Sequence, residues 1–241
     1  MEVHAHTHTA RKKWTHYFWE FLMLFLAVTL GFFVENQREH YIERHRAAVL
    51  AHSLVEDLKK DTSSLNKTIN ACIRKINDLK ELVQLLRKNE AGVKDTMIYK
   101  KALLVQFATR FLRAEGTYKQ IVNSGSLRYF DQSLVNLMNQ YDIDIRTVEG
   151  RRDADLEIIF NSSLAFINKN LNQEVFDEIL QNKPIASEAY NKFDSSDQVN
   201  ELINYAIVSR RITERMKLES ETALTSGVEL MSALNKKYHI K

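Results

Sequence analysis

The chain has 241 residues, with 34 basic and 31 acidic side chains and a formal net charge of +3. Six glycines and one proline are very few, and this scarcity of helix breakers favours long helices over a sheet with many tight turns. Both signs of charge are interspersed along the chain, so no concentrated basic face predicts a nucleic-acid partner. The single cysteine, Cys72, excludes an internal disulfide. We therefore expect an all-α protein.

The chain begins with a short tail, residues 1–13, in which three histidines alternate with other residues. His4, His6 and His8 are candidate metal ligands, because neutral imidazoles bind zinc, copper or nickel. An unstructured tail must lose conformational freedom to hold a metal, and it offers no second shell to orient the ligands. We interpret the segment as an incidental His-rich, basic tail and expect no metal or other cofactor.

An apolar run from Tyr17 to Val34 follows Arg11, Lys12 and Lys13. Its 18 residues cover roughly 27 Å as a helix, close to the thickness of a bilayer core. Only Thr29 and Gly31 could occupy the small positions of a cleavage site, and Glu20 and the length of the run are atypical of a signal peptide. Residues 14–34 are therefore predicted to be an uncleaved transmembrane helix. Basic residues before it predict a cytoplasmic N-terminus in a bacterial inner membrane, with residues 35–241 forming a periplasmic domain.

Three residues of the predicted span are candidate contacts with another membrane helix. Glu20 is a carboxylate near the start of the span, where it either reaches the headgroups or contacts a neighbouring helix. Ala27 and Gly31 form a small-xxx-small pair, which allows two helices to approach closely.

The next segment, from Glu35 to about Lys88, contains neither proline nor glycine. Apolar or small residues recur there at alternating steps of three and four, which predicts a helix with a coiled-coil-like seam. We expect this helix to continue directly from the span, with its weakest point at Asp61–Ser64, where the side chains compete for backbone hydrogen bonds. The seam comprises Val55, Leu58, Thr62, Leu65, Ile69, Cys72, Ile76, Leu79, Val83 and Leu86.

Later segments predict three further arms. Residues 89–95, which include Gly92, read as a turn, and apolar residues from Met97 to Leu112 predict a second helix. Thr117 and Gln120 have the spacing of a capping box for a short helix that Gly125 ends.

Asp131 is the expected cap of a third long helix over residues 132–170. A short helix over Val175–Leu180 and a loop at Pro184 precede the last helix, which begins with a Ser195–Gln198 capping box and ends near Tyr238. Four arms with short connections predict an elongated up-down-up-down bundle.

No catalytic motif accompanies this architecture. The stretch from Asn123 to Leu127 does not form a Gly-x-Ser-x-Gly elbow, and no glycine-rich phosphate loop occurs in the sequence. His40 and Glu43 lie one helical turn apart, but di-metal bundles require a second matching set, so we interpret this pair as part of a solvated face. We expect no enzymatic activity.

Two stretches of the chain have a recognisable pattern: Ser53–Leu58 and a signature between Thr117 and Tyr141. The signature comprises Thr117–Tyr118, Ile121, Ser124–Gly125, Leu127, Phe130, Asp131, Leu134 and Tyr141. Together with the apolar run before them, these residues resemble a bacterial family of uncharacterised single-pass membrane proteins, and the similarity covers the span to about Tyr141. The family has no established activity, so the resemblance implies an N-terminal span and an outer helical domain of unknown function, without site residues.

The sequence therefore favours a non-enzymatic membrane protein whose helical domain mediates protein–protein interaction or self-association. Its expected partners are the lipid bilayer and either a second copy or another membrane or periplasmic protein. Two alternatives stay open: a ligand-sensing helical-bundle module, since sensor domains are often bundles outside a first span, and a membrane-bound hydrolase.

Overall fold

The computed structural model describes residues 14–88, 96–107, 109–183 and 195–240. These residues contain only helices, turns and irregular segments, which confirms the all-α prediction. The chain divides into two compact units, residues 1–49 and residues 50–241. In chain order the elements are α1 (Trp14–Lys88), α2 (Thr96–Leu103), α3 (Gly116–Asn123), a 3₁₀ turn (Ser126–Tyr129), α4 (Gln132–Asn170), α5 (Gln173–Leu180) and α6 (Ser196–Tyr238).

Helix α1 is unbroken over 75 residues, so the predicted continuation of the apolar run into the following helix is confirmed. The expected weak point at Asp61–Ser64 also stays helical. There the Thr62 hydroxyl donates to the carbonyl of Leu58 at 2.8 Å, a bond to the preceding turn that is compatible with the helix.

The first unit consists of the N-terminal part of α1 as far as Val49. Its apolar stretch is long enough and apolar enough to cross a membrane, and none of the residues in that stretch is buried. Large side chains such as Phe21, Leu24 and Phe32 are exposed over 65%, 68% and 76% of their surface. A stretch of this kind is stable in an apolar surrounding, which the described residues do not supply.

The second unit is built on three long helices whose directions follow from their contacts. As residue numbers rise along α4, those of the contacting residues fall along α6, so the two helices are antiparallel. The contacts are Asp131 with Lys237, Arg151 with Glu219 and Asn170 with Gln198. Asp61 of α1 bonds to Tyr141 of α4, and Lys75 interacts electrostatically with Asp155, so α1 and α4 are parallel.

The predicted seam of α1 is confirmed by burial. Eight of its ten residues are buried, and Thr62 and Val83 are partly buried. A second row, offset by one position and spaced by seven residues, is buried as well: Leu54, Asp61, Thr68, Lys75 and Leu82. Seven residues correspond to almost two helical turns, so each row forms a stripe along one side of α1.

The predicted second helix is wrong beyond Leu103. Three successive i to i+3 hydrogen bonds, from the amides of Leu104, Val105 and Gln106, tighten and end α2. Residues 104–107 and 109–115, named the extended arm here, then run antiparallel to α1 without helical structure. β-branched and aromatic residues in this stretch, such as Val105 and Phe111, have modest helix propensity, and tertiary contacts decide the outcome.

The predicted start and end of α3 and the predicted start of α4 are confirmed only in part. Thr117 does not cap α3: the helix begins at Gly116, and the Thr117 amide donates to Asp57 at 3.1 Å. Gly125 does adopt the left-handed conformation, with φ of 66°, after the end of α3. Asp131 is the N-cap residue of α4, yet its carboxylate pairs with Lys237 rather than with the helix amides.

The capping box of Ser195 and Gln198 is present at the start of α6. Helix α5 begins two residues before the predicted position, at Gln173, where the Asn172 side chain accepts from the Glu174 amide. The turn around Gly92 and the loop at Pro184 lie outside the described residues.

Two glycines in long helices give a matched stability test. A Cβ on Gly227 of α6 would lie 2.9 Å from Cε2 of Tyr141, whereas a Cβ on Gly150 of α4 would meet no atom within 4 Å. We expect Gly150→Ala to stabilise the domain by about 1 kcal/mol, the usual gain in a helix interior. Gly227→Ala should destabilise it by about 1–3 kcal/mol, because the Tyr141 ring is held by Asp61 and must shift.

Urea denaturation of the detergent-solubilised chain, followed by circular dichroism, would measure both changes. Equal free energies of unfolding for Gly150→Ala and Gly227→Ala would contradict the close approach of α6 to Tyr141.

Candidate functional site

The predicted membrane-helix contacts all lie on the exposed surface of α1. Ala27 and Gly31 are exposed, and a Cβ on Gly31 would meet no atom within 4 Å, so this face is open to a neighbouring helix. The carboxylate of Glu20 lies 3.0 Å from Nε2 of His16 one turn earlier, and both side chains are about half exposed. Glu20 thus has a partner on its own helix at the N-terminal end of the apolar stretch.

The described residues show no metal site formed by the other candidate histidines. His4, His6 and His8 lie outside the described part of the chain. Nδ1 of His40 lies 3.5 Å from Glu43, with 53% and 30% of the two side chains exposed, as expected for a solvated face. Among the described residues, no group of three or more His, Cys, Asp or Glu side chains is arranged to hold a metal ion.

The most unusual polar arrangement is on the buried side of α1. Asp61, Thr68 and Lys75, named the polar row here, are 2%, 3% and 8% exposed and are each seven residues apart. Each of them bonds to the backbone of the extended arm. Asp61 accepts from the amide of Ala114 at 2.6 Å, Thr68 donates to the carbonyl of Arg110 at 3.2 Å, and Lys75 donates to the carbonyl of Phe107.

The spacing of these contacts matches the geometry of the two segments. The seven residues of helix from Asp61 to Thr68 rise about 10.5 Å, and the four residues from Arg110 to Ala114 cover that distance at about 2.6 Å each, well above the roughly 1.5 Å of a helix. An extended segment outside a sheet leaves its backbone groups without partners, and buried ones need hydrogen bonds. The polar row supplies these bonds, and Ser209 of α6 adds another to the carbonyl of Val105 at 3.2 Å.

Asp61 connects the extended arm to α4. Its second carboxylate oxygen accepts from the Tyr141 hydroxyl at 2.7 Å, within the core of the second unit. Burial raises the pKa of Asp61 above its usual range, while the bonds from the Ala114 amide and Tyr141 oppose that shift. Burial, together with the neighbouring Asp61 charge, raises the pKa of Tyr141, which keeps its hydroxyl protonated as a donor.

Arg113, the neighbour of Ala114, forms a second buried connection to α4. Its guanidinium donates to Asp142 at 2.7 Å, and the two side chains are only 6% and 9% exposed. Arg146 contacts the other oxygen of Asp142 at 2.7 Å, and the Arg113 guanidinium lies over the Tyr118 ring at 5.5 Å. The other terminal nitrogen of Arg113 lies 3.9 Å from Glu149, so one planar guanidinium contacts two carboxylates and stacks on an aromatic ring.

Lys75 is a buried cation in the same region. Burial lowers its pKa to about 8, opposed by the nearby Cys72 and Asp155. Lys75, Thr109 and Asp155 line a cavity of about 10 Å³ together with apolar residues of α4 and α6, a volume close to that of a single water. Burial also raises the pKa of Asp155, and that of the Cys72 thiol, which is fully buried as predicted.

The polar row was missed by the sequence reasoning, although a signal for it exists. Asp61, Thr68 and Lys75 continue the heptad spacing of Leu54 and Leu82, so they fall on a face that the apolar residues on either end show to be buried. Polar residues at positions of this spacing are expected to be buried, and buried polar groups need hydrogen-bond partners. The sequence gives no comparable signal that those partners belong to an extended backbone segment.

The contacts of the polar row and of Arg113 have a structural role, since they join the extended arm to α1 and α4. Ser124, in the stretch searched for a nucleophile elbow, donates to the carbonyl of Gln120 at 2.7 Å and lies 2.7 Å from the Ser126 hydroxyl. Its role is to complete the end of α3, as its sequence context predicted.

Comparison with known proteins gives no relative for this chain: no family model, no curated protein and no solved structure matches it.

Proposed function

We propose that this chain is a single-pass membrane protein whose helical domain mediates association with a second copy or with another membrane protein. The observation that carries the proposal is the apolar stretch of α1, which is long enough to cross a membrane and has no buried residue. Such a stretch is stable only in lipid or against other apolar surfaces. The basic residues that precede it support a cytoplasmic N-terminus, and hence a periplasmic domain in a bacterial inner membrane.

The contact within the membrane is proposed to centre on Ala27 and Gly31. Small residues four positions apart let two helix backbones approach closely, and both residues are exposed. Because α1 continues unbroken into the helical domain, association of the apolar stretches of two chains would bring the helical domains of these two chains together at the membrane. The role we assign is that of a scaffold or accessory protein without catalysis.

Leucine substitutions test this contact. Gly31→Leu and Ala27→Leu should reduce crosslinked dimer or complex at least about tenfold in intact membranes, since a loss of about 1.4 kcal/mol corresponds to that factor. Open space at Gly31 means that a leucine fits the monomer without strain. The matched control is Phe33→Leu, which changes an exposed residue on a different face of the helix.

Chemical crosslinking in membranes, followed by mass spectrometry of the captured species, is the readout. Equal crosslinking in Gly31→Leu and Phe33→Leu would remove the membrane contact. A strict monomer by light scattering with no captured partner would remove the association function altogether.

A ligand-sensing module is the second candidate, favoured by a basic cleft between α1 and α6 that Lys80, Arg87 and Arg210 line. The hydrolase alternative gains no support from the contacts of Ser124.

A further inference from the structure

A cleft in the second unit combines positive charges from two helices. Its volume is about 300 Å³, and its lining consists of Lys80, Val83, Gln84, Arg87, Ile207 and Arg210. Three of these six side chains are cationic, one is a neutral amide and none is acidic. Lys80, Gln84 and Arg87 are spaced by four and three residues, so they lie on one stripe of α1, and Arg210 faces them from α6.

The cations of the cleft are only partly neutralised by the described residues. In the described part of the chain no carboxylate pairs with Lys80 or Arg87, although the neighbouring Asp78 and Glu81 both bind Lys101. Nε of Arg210 forms a long ion pair of 3.9 Å with Glu214 of the same helix, and it is buried without a hydrogen-bond partner among the described residues. A buried donor without an acceptor is uncommon in folded proteins and calls for a physical explanation.

We propose that this cleft binds a small soluble polyanion that carries phosphate or carboxylate groups. Like charges that converge on one cleft repel each other, and an anion with at least two negative charges would relieve that repulsion. Two guanidinium groups from different helices provide the planar, forked donors that match phosphate and carboxylate oxygens. The partly buried Val83 and Ile207 give the cleft an apolar floor, which suits a small organic molecule.

This inference does not depend on the membrane contact at Ala27 and Gly31, and it gives a ligand class to the second candidate function. Binding here and crosslinking in membranes are separate measurements, so either proposal can fail without the other.

The experiment is titration calorimetry of the full, detergent-solubilised chain with pyrophosphate and with citrate, at a constant ionic strength near 0.15 M to screen long-range attraction. We expect saturable binding of at least one probe, weakened at least about tenfold by Arg210→Gln and by Arg87→Gln. The matched control is Arg74→Gln, which removes the same charge from an exposed position of α1 outside the cleft and should change the dissociation constant less than about twofold.

Circular dichroism melts of each variant establish that it is folded, and Lys80→Gln provides a further substitution in the cleft should Arg210→Gln fail to fold. Absence of saturable binding with both probes would overturn the proposal. So would an equal loss of affinity in Arg74→Gln and the cleft variants, since that result would mean attraction to overall charge alone.

Discussion

Asp61→Ala is expected to destabilise the helical domain by about 2–4 kcal/mol. The substitution leaves two buried donors, the Ala114 amide and the Tyr141 hydroxyl, without their acceptor. Each unsatisfied buried donor costs about 1–3 kcal/mol, and removal of a desolvated carboxylate returns part of that cost. Urea denaturation of the detergent-solubilised chain measures the total, and hydrogen exchange at the Ala114 amide reports whether the extended arm detaches.

Two further variants are compared with Asp61→Ala, a control carboxylate and the Tyr141 hydroxyl that bonds to Asp61. Asp144→Ala removes a carboxylate whose contact with Gln140 is exposed, and it should change the free energy of unfolding by less than about 0.5 kcal/mol. Tyr141→Phe removes one hydroxyl and should cost about 1 kcal/mol, less than Asp61→Ala. If Asp61→Ala were no more destabilising than Asp144→Ala, Asp61 would not be the anchor of the extended arm.

The second large effect is a pH dependence that originates in Lys75. The pKa of Lys75 is about 8 in the folded chain, below the 10.5 of an exposed lysine, because its ammonium group is buried. Between these two values the unfolded chain binds a proton that the folded chain has lost, so stability rises with pH through this window. The contribution is about 3 kcal/mol across the whole window and about 1 kcal/mol from pH 7 to pH 9.

Lys75→Met should remove that rise. The thioether side chain has a similar length and no charge, so the variant should gain less stability than the wild type between pH 7 and pH 9. Denaturation at a series of pH values, with the two proteins compared at each one, isolates the effect from Tyr141 and Cys72, which both proteins share. Parallel pH profiles for the two proteins would show that Lys75 keeps its normal pKa and is solvated.

The regular helical parts of the fold followed from the sequence because local signals and packing agree there. Ser195 and Gln198 form the predicted capping box, and Gly125 takes the left-handed conformation that only glycine adopts without strain. In α1 the alternating three and four spacing identified the buried face, since periodicity reports directly which side is covered.

The second arm could not be predicted in the same way. Residues from Met97 to Leu112 have an apolar pattern that a helix would bury equally well, and no glycine or proline interrupts it. The outcome depends on Asp61, Thr68 and Lys75, which lie more than 30 residues earlier and satisfy an extended backbone. The basic cleft depends likewise on the meeting of α1 with α6, which the spacing of Lys80, Gln84 and Arg87 alone does not reveal.

The way in which α1 holds the extended arm has a consequence for sequence variation. The polar row contacts the amide of Ala114 and the carbonyls of Arg110 and Phe107, and none of these three bonds uses a side chain of the arm. Every residue except proline presents the same backbone groups, so exposed arm positions such as Phe107 and Leu112 are free to change. Selection should therefore act on the helix that grips the arm more strongly than on the exposed part of the arm, where homologous chains would differ most.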